Sequence, residues 1–406
     1  MTESKEMGVV LPAGEGSNWS GGVRFNAAAT IAPADEGEVI AAVRGARAQG
    51  RTVRVVGSGH SFVPFWQDDD VVLHLDRLQG LIEVDAAATE AEFLAGTKLH
   101  ALGGPLWAAG FALANMGDID RQALAGAIST ATHGTGPALG NLSSMVTGLS
   151  LVDGQGELRR VTEPDELDGA AVAFGSLGVL TRIRMRVLPR YGLHERQWTD
   201  SPEACLQSLA AHQAATRHFE FFYAPQQDSC MCKSLAVIEP PAADDPVPEL
   251  AFGVAGERAG ASYRIFPSAR ETRFNEMEYS VPAARGPACF AALRELMRRD
   301  FPKIGWPIEY RTVAADARWL SPHHGRASVT LSLHQAAERP HESFFRAAES
   351  ILLDHEGRPH WGKVHFLDAA VLAPRYPQWS RFLAMRDRLD PARTFSNAYV
   401  RRLLGD

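Results

Sequence analysis

Apolar and polar positions along the chain fall into short runs whose periods predict both strands and helices. The run Val53–Val56 is rich in β-branched residues, which predicts a short buried strand. Residues 71–75 and 81–84 predict two more strands, and residues 36–49 and 98–109 predict helices. The first half of the chain is therefore expected to mix α and β elements.

Capping residues support the two predicted helices. Asp35 is a good N-cap, and Glu38 stands three residues later, the spacing of a capping box. Gly50 and Gly110 follow the last apolar positions, where glycine commonly ends a helix.

Two patterns predict antiparallel pairing in the next part of the chain. Asp153-Gly154 is a strong hairpin signal between apolar runs at residues 145–152 and 157–162. Residues 179–187 alternate apolar residues with arginines, which is typical of a half-buried strand with a solvated face. Pro189 then marks a boundary.

The pattern changes from about residue 191 onward. Residues 219–223 and 273–281 predict strands, residues 288–299 predict a helix, and the proline-rich residues 238–260 predict a long loop. Together these features indicate an antiparallel sheet with helices on one side.

Length, composition and charge narrow the class of protein. The 406 residues suffice for two domains, and 45% hydrophobic and 22% charged residues are ordinary for a soluble globular protein. The net charge of −7 gives no reason to expect nucleic acid or an anionic membrane as a partner. No stretch suits a secretory signal or a transmembrane helix, so we expect a cytoplasmic location.

The cysteines predict neither a disulfide scaffold nor a metal site. Cys205, Cys230, Cys232 and Cys289 are too few and too irregularly spaced for either, although Cys230 and Cys232 form a weak metal signal. Free thiols and no bound metal are the expectation.

The predicted strand Val53–Val56 runs directly into Gly57-Ser58-Gly59-His60-Ser61-Phe62. Glycines let a backbone approach a ligand closely, and successive N–H groups in such a turn can bind a pyrophosphate. The glycines also match the start of a dinucleotide fingerprint, but Phe62 replaces its third glycine and Pro64 makes a poor helix start. The residues alone suit either a phosphate-binding turn or an ordinary loop that carries His60.

Two later stretches are also dense in small residues. Residues 124–136 follow Gly117-Asp118 and crowd glycines with hydroxyl residues, and residues 174–179 form a third such turn. Small residues occur where a backbone wraps a flat ligand and also in tightly packed turns, so the residues alone leave both interpretations open.

Glu309 and Arg311 lie two residues apart in a predicted strand, which places both side chains on one face. A second predicted strand, residues 327–334, carries Ser332 and His334 on one face. If the strands are neighbours, they present the fixed donors and acceptors that a polyol or sugar lactone needs. The alternative is a solvent-exposed face with a surface ion pair.

The glycine motif at residues 57–62 resembles the flavin-attachment segment of the vanillyl-alcohol-oxidase-type FAD proteins. Within them, the chain is most similar to the sugar-1,4-lactone oxidases and dehydrogenases and their alditol oxidase relatives. The resemblance spans roughly residues 18–405 and rests also on Asn18-Trp19-Ser20-Gly21, residues 124–136, residues 174–179, Glu309-Tyr310-Arg311, Arg358-Pro359-His360-Trp361-Gly362-Lys363, Asp390-Pro391 and residues 395–399.

The resemblance implies an α+β fold in three segments. Residues 1–190 would form a two-subdomain FAD-binding domain of the vanillyl-alcohol-oxidase (PCMH) type. Residues 191–376 would form a cap domain with a large antiparallel sheet flanked by helices. Residues 377–406 would return to the FAD domain.

The resemblance also implies the cofactor and its contacts. In these relatives the histidine at the place of His60 commonly carries FAD covalently through the flavin 8α-methyl. Because no cysteine precedes Cys205, any covalent link should be single. FAD contacts are implied for Gly57, Ser58, Gly59, His60, Ser61, Phe62, Gly117, Asp118, Gly126, Thr130, His133, Gly134, Thr135, Gly178, Val179, Lys363 and Asn397.

Catalytic and substrate-binding residues follow from the same resemblance. Glu309, Arg311 and Lys363 are implied as catalytic residues, and substrate contacts are implied for Asp118, Ser332, His334 and His360. Alditol oxidases have a histidine and a threonine where Ser332 and His334 align, and a serine where Asp118 aligns. Residues 331–335 and 358–363 look more like bacterial gulonolactone-type dehydrogenases. We therefore expect an aldono-1,4-lactone of the gulono, galactono or arabinono type rather than an alditol, with hydrogen-peroxide-producing alditol oxidation as the alternative.

The expected reaction transfers a hydride from the substrate carbon to flavin N5. Glu309 would orient the substrate hydroxyl or take its proton, Arg311 would stabilise the developing oxyanion, and Lys363 the charge on the reduced flavin. The electron acceptor would be oxygen, a cytochrome, a quinone or a dye, and the protein a monomer or small homo-oligomer. A nicotinamide dehydrogenase and a non-catalytic sugar-binding module are alternatives that predict a colourless protein.

Overall fold

The computed structural model describes residues 9–11, 14–66, 70–243, 245–268 and 272–406. Numbered in chain order, the strands are β1 (Val9–Leu11), β2 (Gly14–Ser17), β3 (Arg24–Ala27), β4 (Ala29–Ala32), β5 (Val53–Val56), β6 (Val71–His74), β7 (Leu81–Asp85), β8 (Glu90–Leu94), β9 (Phe111–Ala112), β10 (Val146–Asp153), β11 (Leu158–Val161), β12 (Gly178–Arg186), β13 (Leu188–Pro189), β14 (Gly192–Asp200), β15 (His218–Ala224), β16 (Ser229–Ile238), β17 (Gly256–Ala261), β18 (Phe274–Pro282), β19 (Ile308–Val313), β20 (Ser328–Ala336) and β21 (Arg358–Pro359). The α-helices are α1 (Glu36–Ala48), α2 (Gly103–Ala108), α3 (Leu124–Ser129), α4 (Pro164–Ala170), α5 (Pro202–Ala215), α6 (Ser262–Ile265), α7 (Gly286–Arg299), α8 (Glu342–Asp354), α9 (Ala369–Leu372), α10 (Trp379–Leu389) and α11 (Ala398–Leu404).

Two sheets form the first half of the molecule. A four-stranded sheet has the order β1-β4-β6-β5, with β4, β6 and β5 parallel. An antiparallel five-stranded sheet has the order β11-β10-β12-β8-β7. Helix α1 packs against β10, and its Val39 and Val43 are fully buried. The helix begins after Asp35, whose carboxylate accepts a hydrogen bond from the backbone N–H of Glu38 at 2.8 Å.

An antiparallel eight-stranded sheet dominates the second half, in the order β17-β14-β16-β15-β19-β20-β18-β21. Helices α5, α7 and α8 pack on one face. On that face the Phe290 ring of α7 meets Phe221 and Tyr310 edge-on, at centroid distances of 5.3 and 6.1 Å. Because side chains alternate along a strand, their neighbours Glu220 and Glu309 point to the opposite face, toward the first half of the chain.

The C-terminal part of the chain returns to the edge of the four-stranded sheet. The backbone N–H of Val53 donates to the carbonyl of Thr394 at 2.8 Å. The guanidinium of Arg54 donates to the carbonyls of Phe395 and Phe174, each at 2.9 Å. This return places residues 394–397 beside β5, the strand that leads into the first glycine motif.

The expected fold class is confirmed, and so are most of the predicted elements. Strands lie where residues 53–56, 71–75, 81–84, 219–223, 273–281 and 308–313 predict them, and α1 and α7 lie where helices are predicted. All four cysteines are free, as expected, and all four are buried. The domain boundaries inferred from the sequence remain predictions.

Three predicted elements are wrong in detail. Residues 98–109 form a 3-10 turn, Leu99–Ala101, and then the short α2, because Gly103 and Gly104 interrupt the helical pattern. The expected loop at residues 238–260 is shorter, since β16 reaches Ile238 and the edge strand β17 begins at Gly256; its charged residues hid it from the apolar pattern.

The β10–β11 hairpin exists, but its turn is longer than the two residues that Asp153-Gly154 suggests. The backbone N–H of Asp153 donates to the carbonyl of Glu157 at 3.0 Å. The Asp153 carboxylate accepts from the N–H groups of Gln155 and Glu157, and the left-handed residue is Gly156 with φ of 76°. The aspartate therefore stabilises a four-residue turn.

Candidate active site

The first glycine motif forms a sharp turn at the end of β5. Gly59 has φ of 67°, a left-handed conformation that favours glycine. A Cβ at Gly57 would lie 2.9 Å from the Cβ of Ala123, so the turn packs directly on the second glycine-rich segment. A cavity of about 100 Å³ lies along this turn. The cofactor-binding residues predicted from the sequence that line it are Gly57, Ser58, Gly59, His60, Ser61, Gly126, Thr130 and Gly178.

Three buried polar atoms beside this cavity lack a hydrogen-bond partner among the described residues. They are the hydroxyl of Ser58, the indole N–H of Trp66 and the side-chain oxygen of Gln122, and all three residues line the cavity. Buried polar groups are rarely left unpaired in a folded protein. The atoms are therefore placed to bind a polar ligand.

His60 lines the same cavity and lies against Trp19, at 5.7 Å between ring centroids. Burial, together with the positive charge of Lys363, lowers the pKa of His60 to about 4. At neutral pH the imidazole is therefore uncharged, and one of its nitrogens keeps the lone pair that a nucleophile requires.

A second cavity, of about 300 Å³, adjoins the first. Gln122 lines both cavities, and its Oε1 is buried without a hydrogen-bond partner in the described part of the chain. The second cavity collects Gly117, Asp118, His133, Glu309, Arg311, His334, His360 and Lys363 from the predicted site residues. The structure thus brings the glycine segments and the predicted catalytic strands to two neighbouring cavities that share Gln122.

Strand register explains how the polar side chains of the second cavity meet. Glu309 on β19 lies between Phe222 on β15 and Ser332 on β20. On the far side of β20, Ser332 pairs with Glu278 and His334 pairs with Glu276. Since all these strands are antiparallel neighbours, one face of the sheet supplies the polar side of the cavity.

Arg311 is the centre of a buried ion-pair network. Its guanidinium contacts the carboxylates of Asp118, Glu220 and Glu309, the first at 3.0 Å. Lys233 contacts two of the same carboxylates, Asp118 at 2.9 Å and Glu220 at 3.1 Å. Glu309 and Arg311 are only 7% and 9% exposed, so the surface ion-pair alternative is wrong.

The network contains more carboxylates than cations, and this imbalance affects the pKa of Glu309. Three carboxylates share the two positive charges of Arg311 and Lys233. Burial raises the pKa of Glu309 to about 8, because the nearby charges of Glu220 and Asp118 offset much of the attraction to Arg311. Glu309 is therefore largely protonated at neutral pH.

Lys363 faces the same cavity from the loop after β21. Its ammonium contacts the carboxylate of Glu276 and lies 5.0 Å from the centroid of the Phe62 ring. Burial alone would raise the pKa of Glu276, but the positive charge of Lys363 holds it below its ordinary value. Lys363 thus connects the end of the first glycine motif to the polar face of the sheet.

His133 and His360 form a second polar group beside Glu278. His133 donates from Nδ1 to the carbonyl of Gly134 at 2.8 Å and from Nε2 to Glu278 at 2.6 Å. His360 accepts at Nδ1 from the N–H of Gly362 at 3.1 Å, and burial lowers its pKa to about 4. Neutral His360 therefore carries its proton on Nε2 and can donate from that atom.

Some predicted site residues line neither cavity. Thr135 donates to the carbonyl of Phe219 at 2.7 Å, and so ties the second glycine segment to β15. Ser332 donates to Glu278 at 3.0 Å, and Asn397 donates to the carbonyl of Phe65 at 3.0 Å. Phe62, Gly134 and Val179 likewise lie outside both linings.

The sequence interpretation missed Gln122, Glu220, Lys233, Glu276 and Glu278. Glu276 and Glu278 left a signal, since they alternate with Met277 and Tyr279 in a strand that was predicted. Gln122 left no signal in the sequence, because its importance comes only from its position, where it lines both cavities.

Comparison with known proteins places this geometry in a family. A family model described as D-arabinono-1,4-lactone oxidase matches residues 247–403, and one described as FAD binding domain matches residues 27–162. L-gulono-1,4-lactone dehydrogenase of Mycobacterium tuberculosis is 36% identical, covering 96% of this chain and 99% of that protein. The chain belongs to the FAD-dependent sugar-lactone oxidases and dehydrogenases.

Other members of this family and its relatives are more distant. The alditol oxidase of a Streptomyces species is 29% identical, covering 96% of this chain and 98% of that protein. Mouse L-gulonolactone oxidase is 25% identical, covering 91% of this chain and 94% of that protein. A solvent-stable cholesterol oxidase has the same fold, with a TM-score of 0.85 and 17% identity over 97% of this chain and 98% of that one.

FAD suits the residues of the first cavity. The glycine turn, the unpaired Ser58 hydroxyl, the Trp66 N–H and the Gln122 Oε1 match a ligand that has both phosphate oxygens and ring heteroatoms. The protein is thus an FAD-dependent enzyme that acts on CH–OH groups of sugar-derived substrates. Among the residues that the structure describes, no helix is both long and apolar enough to cross a membrane.

Proposed function

We propose that this enzyme oxidises a CH–OH group of an aldono-1,4-lactone, of the gulono, galactono or arabinono type. One observation carries the proposal: the cavity that holds Glu309, Arg311 and Lys363 adjoins the glycine cavity, and Gln122 lines both. A sugar-sized substrate in the second cavity would therefore lie next to a flavin held by the first.

The protein residues would bind and orient the substrate. When bound, FAD supplies the acceptor for the hydride that leaves the substrate carbon. Protonated Glu309 would hydrogen-bond a substrate oxygen, and Arg311 would stabilise negative charge on the oxygen of the reacting carbon. Lys363, beside Phe62, would stabilise the negative charge that arrives with the hydride.

We further propose that FAD is attached covalently to His60 through the flavin 8α-methyl. His60 lines the glycine cavity and is uncharged at neutral pH, so it meets both requirements of a nucleophile, position and lone pair. No cysteine precedes Cys205, which supports a single link.

The remaining direct cofactor contacts would come from the glycine segments. Ser58, Ser61 and Thr130 would supply hydroxyls, and the backbone of Gly57, Gly59, Gly126 and Gly178 would approach the ligand closely. Thr135 and Asn397 would act indirectly, by holding segments that line the cavity.

A lactone is favoured over an open alditol by the degree of similarity. The M. tuberculosis lactone dehydrogenase is 36% identical, while the Streptomyces alditol oxidase is 29% identical over the same share of this chain. The second cavity also has an apolar side, lined by Ile119, Phe222 and Trp306, against which the carbon face of a ring can pack.

Anaerobic mixing of the purified protein with candidate substrates tests the proposal. The panel contains L-gulono-, L-galactono- and D-arabinono-1,4-lactone, with xylitol and sorbitol as the alditol alternative. We expect the flavin absorbance to bleach fastest with a lactone, and Glu309→Ala to slow bleaching with every substrate. A protein that no lactone reduces would refute the proposal, and faster reduction by xylitol or sorbitol would replace it with alditol oxidation.

The electron acceptor, oligomeric state and location remain predictions. Oxygen, a cytochrome, a quinone or a dye would reoxidise the flavin, in a cytoplasmic monomer or small homo-oligomer. Oxygen consumption measured beside reduction of an artificial dye separates an oxidase from a dehydrogenase.

A further inference from the structure

His334 lines the second cavity from β20 and is held in one orientation. Its Nδ1 donates to the carbonyl of Pro307 at 3.0 Å, because a carbonyl can only accept. In the neutral imidazole, Nε2 is then the nitrogen that carries the lone pair. Nε2 lies 3.7 Å from Oε1 of Glu276, the residue that pairs with His334 across β18 and β20.

The spacing of three side chains around His334 suits a hydroxyl group. One polar atom from each of Glu276, Glu309 and His334 lies within 4.8 Å of the other two. A hydrogen bond to oxygen spans about 2.7–2.9 Å, so one hydroxyl oxygen can contact His334 and Glu309 together. All three residues line the cavity proposed for the substrate.

The two residues that can contact this hydroxyl differ in what they can do with its proton. Glu309 shares Arg311 with Asp118 and Glu220, and its carboxyl group is largely protonated at neutral pH. A protonated carboxyl donates a hydrogen bond but does not accept a second proton. A neutral imidazole with its lone pair on Nε2 accepts one readily.

We propose that His334 is the general base that takes the proton from the substrate hydroxyl. The step rests on the proposed oxidation of a CH–OH group. The O–H bond breaks and an N–H bond forms at Nε2, while the electron pair of the O–H bond forms the second bond of the carbonyl. The carbon loses its hydride with both electrons to FAD, so atoms and charge balance.

The carboxylate of Glu276 stabilises the imidazolium that this step creates. Glu276 is an ionised carboxylate on one neighbouring strand, and its Oε1 lies 3.7 Å from Nε2. Glu309 lies on the other neighbouring strand and contacts Arg311, while Lys363 contacts Glu276. The rings of Phe274 and Trp306, at 5.2 and 6.4 Å between centroids, cover the imidazole among the described residues.

Chemical rescue tests this assignment. His334→Ala should keep its FAD, yet its flavin should be reduced by a lactone about 10²–10⁴-fold more slowly, the usual contribution of a general base. Added imidazole should raise the reduction rate of His334→Ala at least about tenfold, and the rate should level off at high imidazole concentration. Substituted imidazoles of higher pKa should give a larger increase. His334→Asn keeps a donor for Pro307 but lacks the base, so it should be as slow as His334→Ala.

His360→Ala is the matched control, because it opens a similar space in the same cavity. Imidazole should not restore its rate, since His360 presents a proton and not a lone pair to the cavity. Direct binding of the lactone to oxidised His334→Ala, measured by its perturbation of the flavin spectrum, should stay within about threefold of wild type.

The outcomes separate the two proposals. Wild-type reduction rates in His334→Ala, or slow rates that no imidazole improves, would overturn the role of His334 while the wild-type reaction stands. A wild-type flavin that neither lactones nor polyols reduce would overturn the proposed function itself, and the base with it.

Discussion

Nε2 of His133 lies 2.6 Å from Oε1 of Glu278, and both side chains are almost fully buried. His133 belongs to the second glycine segment and Glu278 to β18, so this contact joins the FAD-binding part of the chain to the eight-stranded sheet. Because the other ring nitrogen of His133 donates to the carbonyl of Gly134, both nitrogens carry hydrogens and the imidazole is charged.

Removing the charge of Glu278 should destabilise the protein strongly. Glu278→Gln leaves the buried imidazolium of His133 without a counter-ion, and breaking a buried pair typically costs about 3–5 kcal/mol. Chemical denaturation of the purified protein measures the loss. The control is Glu257→Gln, which removes an exposed carboxylate 3.2 Å from His194 and should cost about 0–1 kcal/mol. Equal losses would show that the buried pair adds nothing to folding.

The same pair predicts how stability changes with pH. Burial alone would raise the pKa of Glu278, but His133 and His360 hold it well below the ordinary value of 4.5. A carboxylate with a depressed pKa in the folded state stabilises the fold above pH 4.5, and this contribution is lost as the pH falls through the folded pKa. Wild type should therefore lose unfolding free energy below about pH 4.5 more steeply than Glu278→Gln. Parallel curves would contradict the pair.

His60 should retain the flavin when the protein is denatured. We expect acid precipitation to leave the yellow colour in the wild-type pellet and to release it from His60→Ala. His100→Ala, at an exposed histidine of the same half, should behave as wild type. Colour in the wild-type supernatant would rule out a covalent link while leaving FAD binding intact.

Lys363 should serve flavin reduction more than cofactor binding. Lys363→Met removes a positive charge beside Phe62, and loss of one preorganised charge typically slows a reaction about 10²–10³-fold. Stopped-flow reduction, at matched FAD content, gives the rate. Lys363→Arg keeps the charge and should lose less, and Lys98→Met, which breaks the 2.7 Å contact with Asp76, should be reduced at the wild-type rate. Undiminished reduction of Lys363→Met would place the lysine outside the site.

Glu309 and Arg311 should act on the substrate as a coupled pair. Their side chains contact each other, so Glu309→Ala and Arg311→Ala each disturb the same network. The double variant should lose less kcat/KM than the sum of the single losses, and Arg311→Ala should lower kcat and kcat/KM together. Arg258 and Glu195, an equally buried pair at 2.7 Å, provide the control cycle; their removal should change stability and leave kcat unchanged. Additive kinetic losses at Glu309 and Arg311 would reject a shared site.

Local pattern predicted the elements that carry the site, because β-branched runs, caps and alternation act over a few residues. It placed Glu309 and Arg311 on one strand face, and the contact between them agrees with this. It did not reveal that β19 lies between β15 and β20, which brings Glu220 and Glu278 to the same face of one sheet. Strand order depends on packing over the whole chain, so Glu220 and Lys233 gave no reason to be singled out.

The return of residues 394–397 to β5 sets an order of events during biosynthesis. Val53 and Arg54 can donate to the carbonyls of Thr394 and Phe395 only after the ribosome has added these residues, more than 300 residues later. A nascent chain therefore cannot complete this edge of the sheet until its last residues have been synthesised. Chaperone dependence and sensitivity to C-terminal tags should follow from that delay rather than from the chemistry of the flavin.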